Sequence, residues 1–262
     1  MIGGVNVATN QIANIYNQGN SQLADTLSKI ASGKKFQNAG EDLLSFSRAN
    51  NLTNQIKGYN DVEQKLTAAK TATSAAVDVG SKVYENLTKM KDLVTKYGAT
   101  SDLQEQAEFK AEFNSLRETV SAALKNATVD GVNVADGSYT NTVNMNPEGT
   151  STLSIALATN ADSSNVDALE IADAGVATAL QTEVDNALTY MSQAKSFNNI
   201  IDNQINLNKT IVNSKEAVRS LITDIDEAAE MSKMLDQNVR QQAAMSMLSQ
   251  ANMSRQVVMK LY

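Results

Sequence analysis

The chain has 262 residues and a net charge of −7 at neutral pH, which leaves room for one or two domains with a real core. The acidic balance, with no basic cluster interleaved with aromatics, argues against nucleic acid as a ligand. With no Cys and no His, the chain lacks disulfides, thiol catalysis, the commonest general base and the commonest zinc ligands.

Both ends are almost uncharged yet patterned as helices. Met1 to Ala24 contains no Asp, Glu, Lys or Arg, and Gln241 to Tyr262 carries charge only at Arg255 and Lys260. Chain ends are usually polar and frayed. These ends instead mix Ile, Leu, Val and Met with Asn, Gln, Ser and Ala, a surface suited to burial against copies of the same chain. No stretch approaches the roughly 20 apolar residues of a membrane span, so no membrane partner is expected. The N-terminus also lacks a basic region, and Asn6, Asn10, Gln11, Asn14, Asn17, Gln18 and Asn20 interrupt any apolar core of a signal peptide. Export, if it occurs, is expected by a route that does not remove such a signal.

A first helix is predicted from about Asn6 to Ala31, with Ile12, Tyr16, Leu23, Leu27 and Ile30 as its apolar positions. Ser32-Gly33-Lys34-Lys35 breaks it, and Lys34 and Lys35 are expected to be exposed. A second helix runs to about Tyr97 with a heptad seam. Tyr59, Leu66, Thr73, Gly80, Leu87 and Val94 fall seven apart, as do Val62, Ala69, Ala76, Val83, Met90 and Tyr97. Such a seam implies a long helical partner. Gly98 reads as its C-cap. Ser101-Asp102-Leu103-Gln104 reads as a capping box opening a third helix to about Asn126.

The middle of the chain changes character. Asp130-Gly131, Asp136-Gly137 and Asn146-Pro147-Glu148-Gly149 are turn signals. Tyr139 to Met145 and the alternating Leu153, Ile155 and Leu157 read as one β-hairpin lying on the helices. Thr159 to Asp167 reads as a polar loop. From about Ala168 helix is predicted to the end, with a break near Ala174-Gly175. Beyond Met231, apolar residues cover much of the helix circumference, which calls for several neighbours. Six of the ten methionines lie in the last 32 residues, and Met suits surfaces that meet more than one partner.

The expected fold is therefore mainly α: a long antiparallel helical coiled-coil bundle with one small β-hairpin element, its N- and C-terminal helices paired. No catalytic, cofactor or metal site is expected. Asp224, Asp226, Glu227 and Glu230 read as a solvated acidic face of one helix rather than a cation cage. The candidate functional residues are those of a subunit interface: Ile12, Tyr16, Leu23, Leu27 and Ile30 at one end, and Leu235, Met245, Leu248, Val258 and Leu261 at the other. The competing reading of these stripes is an ordinary intramolecular two-helix core.

Leu27-Ser28-Lys29-Ile30-Ala31-Ser32-Gly33-Lys34-Lys35-Phe36-Gln37-Asn38-Ala39-Gly40-Glu41-Asp42 resembles a bacterial flagellin pattern of a leucine-rich turn, Ser-Gly, a basic residue, Asn/Ser-Ala and paired acids. Asn54-Gln55-Ile56-Lys57-Gly58 resembles the Asn-x-Ile-Lys-Gly element that follows it. Ala217 to Asp224 resembles the Ala-Arg-Ser-Arg-Ile-x-Asp element, and Ser246-Met247-Leu248-Ser249-Gln250-Ala251-Asn252 the terminal Leu-Ala-Gln-Ala-Asn element. The resemblance is to a short form lacking the variable outer domains.

The resemblance implies a structural, non-enzymatic subunit. It would polymerise through its terminal helices into an extracellular flagellar filament for motility, with no cofactor and no cleaved signal peptide. The division it implies is 1–31 and 223–262 as two halves of an inner filament-core domain, 32–44 as linker, and 45–222 as a helical rod with the hairpin near 129–158. Implied partners are further copies of the chain, an export chaperone at the C-terminal helix, filament cap and junction proteins, and a host innate immune receptor. The receptor patch would include Lys89, Leu93 and Glu112, with Lys89 where the family commonly has Arg. A hook–filament junction protein or minor axial protein is the alternative.

Overall fold

The structure is a computed structural model. It describes the backbone of residues 2–260 and the side chains of residues 10–253 and 256. Six helices and four strands follow in order: α1 (Ile2–Ser32), α2 (Leu43–Ala99), α3 (Leu103–Lys125), β1 (Thr128–Val129), β2 (Val132–Asn133), β3 (Thr140–Asn144), β4 (Thr152–Ala156), α4 (Ser163–Asp167), α5 (Val176–Thr223) and α6 (Glu227–Lys260). The chain divides into two compact units, one of residues 1–54 with 215–262 and one of residues 55–214.

The second unit holds the hydrophobic core. Its α2 and α5 portions run antiparallel. As α2 advances from Glu63 through Lys70 to Lys91, its partners on α5 retreat from Lys209 through Asp202 to Gln181. The predicted seam is the packed face: Val62, Leu66, Ala69, Thr73, Ala76, Gly80, Val83, Leu87 and Met90 are all buried, and Tyr59, Val94 and Tyr97 are half-buried. Its two non-apolar members have specific jobs. The Thr73 hydroxyl hydrogen-bonds the Asn198 side chain across the pair. A Cβ on Gly80 would stand 3.0 Å from Cδ1 of Tyr190 and 3.3 Å from Cβ of Met191. Glycine there admits the fully buried Tyr190 ring, whose hydroxyl donates to the Val134 carbonyl at 2.7 Å. Burial, reinforced by the charge of Asp136, pushes the Tyr190 phenol well above its usual range.

Several local expectations are corrected. Gly98 is not a left-handed cap; α2 continues past it to Ala99. The cap of α3 is Asp102, one residue after Ser101, and its carboxylate accepts from the Gln104 and Glu105 amides at 2.8 and 3.4 Å. A carboxylate so placed also complements the helix dipole. The β region contains two hairpins rather than one. β1 and β2 pair tightly about Asp130 and Gly131, both at positive φ as a two-residue turn requires. β3 and β4 pair from Thr140↔Ala156 to Asn144↔Thr152 and turn Val143 and Ile155 into the core. The connecting Pro147 packs on Gly58, where a Cβ would approach to 2.8 Å. The predicted polar loop contains α4, capped by Asp162, with Val166 buried. Glu183, also buried, accepts from the Asp162 amide and the Asn165 side chain. Helix does not resume at Ala168. A turn segment runs to Gly175, whose φ is +92°, and α5 begins at Val176.

The first unit contains α1, α6 and the flanking ends of α2 and α5. Here the predicted single C-terminal helix is interrupted at Asp224-Ile225-Asp226. Across the break the backbone pairs with the loop after α1: the Lys35 amide donates to the Thr223 carbonyl (2.7 Å) and the Ile225 amide to that of Gly33 (3.1 Å).

Candidate functional site

The acidic run predicted as one solvated helix face is therefore split, and each carboxylate has a separate task. Lys34 bonds Asp224 at 2.5 Å. The Ser220 and Thr223 hydroxyls lie 2.5 and 2.8 Å from the same carboxylate. The Lys34 ammonium, then these hydroxyls, hold the Asp224 carboxyl well below the usual range. Asp226 accepts from the Ala229 amide at 3.1 Å and so caps α6, while Glu227 and Glu230 occupy its first turn. Lys35 donates to the Leu221 carbonyl at 2.7 Å. Lys34 and Lys35 are exposed, as expected, and also close the break by bonds within the chain.

The motif around residues 33–42 is a second capping device. Asp42 caps α2 by accepting from the Ser45 amide at 3.0 Å, and its carboxyl is lowered chiefly by the Ser45 side chain and then by this amide. Glu41 accepts from the Asn38 side chain at 3.0 Å. Phe36, buried, sets its ring edge-on to Phe46 at 6.2 Å. Among the described residues, no group of three or more acidic, His or Cys side chains is placed to hold a metal.

From the break, α1 and α6 run antiparallel. Lys34 meets Asp224, and further along both helices Gly19 and Asn20 meet Gln241. The shielded residues of α1 include Ile12, Tyr16, Gly19, Leu23, Thr26 and Ile30, spaced by alternating fours and threes. On α6 the same spacing runs through Glu230, Met234, Gln237, Gln241, Ala244, Leu248 and Ala251. This is a two-stranded coiled-coil seam, but a poor one. Gly, Thr, Glu and Gln take positions where apolar knobs would pack, and the buried Oε1 of Gln237 finds no hydrogen-bond partner among the described residues.

Of the sequence-predicted interface residues, Ile12, Tyr16, Leu23, Ile30 and Leu248 are half-buried on this seam, whereas Leu27, Leu235 and Met245 are exposed. The Val258 side chain and Leu261 lie outside the described residues. In the other unit, Lys89 and Glu112 are exposed and Leu93 is buried in the core.

Sequence reading missed a second row on α6. Met231, Leu235, Val239, Gln242, Ser246, Ser249 and Met253 follow one another at helical spacing, about a third of a turn round from the seam, and all are exposed. None is charged. Charge sits on a third side, where Arg240 pairs with Asp236 at 2.9 Å. The signal was available in the interval pattern, but it requires knowing first which stripe α1 covers. Among the described residues, the first unit buries fully only Phe36, Ala49 and Ala244 of its hydrophobic side chains, while Ile15, Leu27, Leu43, Leu44, Leu221, Met231, Leu235 and Val239 stand exposed. The proportion is reversed in the second unit.

Residues 5–140 match the family model of the bacterial flagellin N-terminal helical region, and residues 181–262 that of the C-terminal helical region. The chain belongs to the bacterial flagellin family. It is similar to flagellin FljK of Caulobacter vibrioides, 26% identical over 257 residues that span 94% of this chain and 93% of the relative. A flagellin of Halalkalibacterium halodurans is 25% identical and covered to 92% on both sides. One of Bacillus subtilis is 22% identical and covered to 98% on both sides. As a flagellin the chain is a structural, non-enzymatic subunit that polymerises into the flagellar filament. No helix among the described residues is long and apolar enough to cross a membrane.

Proposed function

We propose that residues 1–31 and 223–262 form the inner filament-core domain, joined by the 32–44 linker to the rod of 45–222, and that assembly buries the uncharged row of α6 together with Ile15 and Leu27 of α1. One observation carries this reading: the first unit exposes large apolar side chains while burying very few. Monomeric proteins rarely leave such surface uncovered without a use for it. A head-to-tail contact between identical copies that does not close on itself extends into a helical filament. Deleting Gln241–Tyr262 is expected to abolish filaments in electron micrographs while circular dichroism retains the helices of residues 55–214. Normal filaments from that truncation would refute the reading.

Before assembly the same row needs a cover, which supports an export chaperone on the C-terminal helix. Calorimetric titration with the purified chaperone should lose affinity when Leu235 becomes Ala. Filament cap and junction proteins would meet the same terminal helices. The N-terminal composition supports export without a cleaved leader, and mass spectrometry of filament subunits would read the intact start. The exposed Lys89 and Glu112 support contact with a host innate immune receptor. Lys cannot reproduce the planar fork of Arg, so Lys89→Arg should raise signalling in a receptor reporter assay; unchanged signalling would count against the contact.

A further inference from the structure

Among the described methionines, four are exposed, and all four stand on α6: Met231 (49%), Met245 (55%), Met247 (56%) and Met253 (56%). Met90, Met145, Met191 and Met234 are buried or half-buried. Met231 and Met253 belong to the uncharged row, and Met245 stands at its edge. Met247 lies on the opposite, charged side with Asp236 and Arg240. The chain has no Cys, so thioethers are its readiest targets for two-electron oxidants.

We propose that Met231, Met245 and Met253 make α6 a peroxide-sensitive assembly surface, on which oxidation of the unassembled subunit blocks its addition to a filament. The proposal rests on the reading that assembly buries this row. In the reaction a sulfur lone pair attacks one oxygen of a hydroperoxide. The S–O bond forms as the O–O bond breaks. Sulfur is oxidised by two electrons, and the departing oxygen takes up the proton and leaves as water, or as an alcohol from an organic peroxide. The product sulfoxide is polar and a hydrogen-bond acceptor. Burying it in an apolar contact without a donor is unfavourable. Leu235 and Val239, the row's neighbours of Met231, offer no donor, whereas Gln242, Ser246 and Ser249 stand nearer Met245 and Met253, so Met231 is expected to contribute most of the effect. A subunit already in the filament has these sulfurs covered, so the oxidant discriminates between unassembled and assembled chains.

The test uses the full chain and hydrogen peroxide, with peptide mapping for each methionine and light scattering for seeded elongation. Oxidised wild type should elongate about tenfold more slowly, since several sulfoxides must be buried per subunit, and methionine sulfoxide reductases should restore the rate. The Met231→Leu, Met245→Leu, Met253→Leu triple variant should keep elongating after peroxide although its Met247 is oxidised. Equal slowing of this variant, or full-rate elongation of oxidised wild type, would overturn the proposal. Should the variant fail to elongate at all, the reductase arm decides, and no restoration overturns it. Filaments treated after assembly should protect the three sulfurs. Oxidation there as fast as in monomers would remove the assembly reading itself, whereas protected filaments with full-rate oxidised monomers would remove only the peroxide proposal.

Discussion

Leu235→Ala separates an assembly surface from a folding core in a single residue. Leu235 is 60% exposed in the isolated chain, so only the remainder of its side chain stabilises the fold. The buried share of the removed groups is worth about 1 kcal/mol, offset by a few tenths because Ala is the better helix former, so the monomer should lose less than about 1 kcal/mol. Removing three methylene-sized groups at about 0.8 kcal/mol each, scaled by the exposed fraction, leaves roughly 1.4 kcal/mol to be lost on assembly. That corresponds to about a tenfold rise in the critical concentration for polymerisation. Sedimentation of filaments over a concentration series measures it. Leu66→Ala is the counterpart: Leu66 is fully buried on the α2 seam, so the loss of about 2–5 kcal/mol should appear in thermal unfolding of the monomer. An unchanged critical concentration for Leu235→Ala, with the monomer intact, would refute the assignment of this row to the subunit interface.

Gly80→Ala places a Cβ 3.0 Å from Tyr190 and 3.3 Å from Met191; repacking at about 1–3 kcal/mol outweighs a helix-propensity gain of up to about 1 kcal/mol, so the melting temperature should fall, and a rise would show that the ring yields freely. Tyr190 titrates above its ordinary value of about 10, so its contribution is complete below that pH and is lost as pH rises beyond it. Tyr190→Phe should flatten the alkaline limb of stability measured by circular dichroism, at the expense of one hydrogen bond worth about 1 kcal/mol. The Asp224 carboxyl lies below its ordinary value, so the Lys34–Asp224 contribution is present above about pH 4 and is lost as pH falls from there. Both side chains are substantially exposed, which limits the pair to about 1 kcal/mol or less; Asp224→Asn should speed hydrogen exchange of the Ile225 amide at pH 7 and make it insensitive to acidification between pH 4 and 2, beyond the intrinsic pH effect.

The long bundle was legible because a sustained heptad repeat has one physical meaning, and the seam from Val62 to Met90 packs as its spacing requires. What spacing could not supply was the partner's shape: the non-apolar Thr73 and Gly80 find their reason on the seam only when Asn198 and Tyr190 are set opposite them. Short-range competition explains most of the corrections. Ser101 and Asp102 are both competent caps, and a carboxylate at the start of α3 gains the dipole term that a hydroxyl lacks. The break at Asp224–Asp226 is hidden because apolar spacing continues through Ile222 and Ile225. Bonds with Gly33, Lys34 and Lys35, together with the Asp226 cap on the Ala229 amide, compensate the helical ones given up there. At the termini, apolar residues at helical spacing placed Ile12, Tyr16, Leu23, Ile30 and Leu248 on the seam between α1 and α6 but also selected Leu27, Leu235 and Met245 outside it, and left out Gly19, Thr26, Gln237 and Gln241, which the seam includes. Residue type identified the adhesive ends; which side faced which neighbour needed the pairing itself.

The poor seam and the exposed row answer one constraint. Isolated helices are marginal in water, and most helical stability in proteins comes from packing an apolar face. A strong α1–α6 seam would satisfy both helices within one chain and leave little free energy to drive association. Here Gly19, Thr26, Glu230, Gln237 and Gln241 interrupt the seam between Ile12, Tyr16, Leu23, Ile30, Met234 and Leu248, and the apolar Met231, Leu235 and Val239 stand exposed on another face of α6. The chain-internal bonds are concentrated at the break, where Lys34, Lys35 and Asp224 fix how α1 meets α6. Such an arrangement fixes the pairing of the terminal helices by a few polar contacts and, on the proposed assembly, leaves the exposed row of α6 to be buried by other subunits. Improving the seam, for instance by Gln237→Leu and Gln241→Leu together, would stabilise the monomer without adding to the association surface.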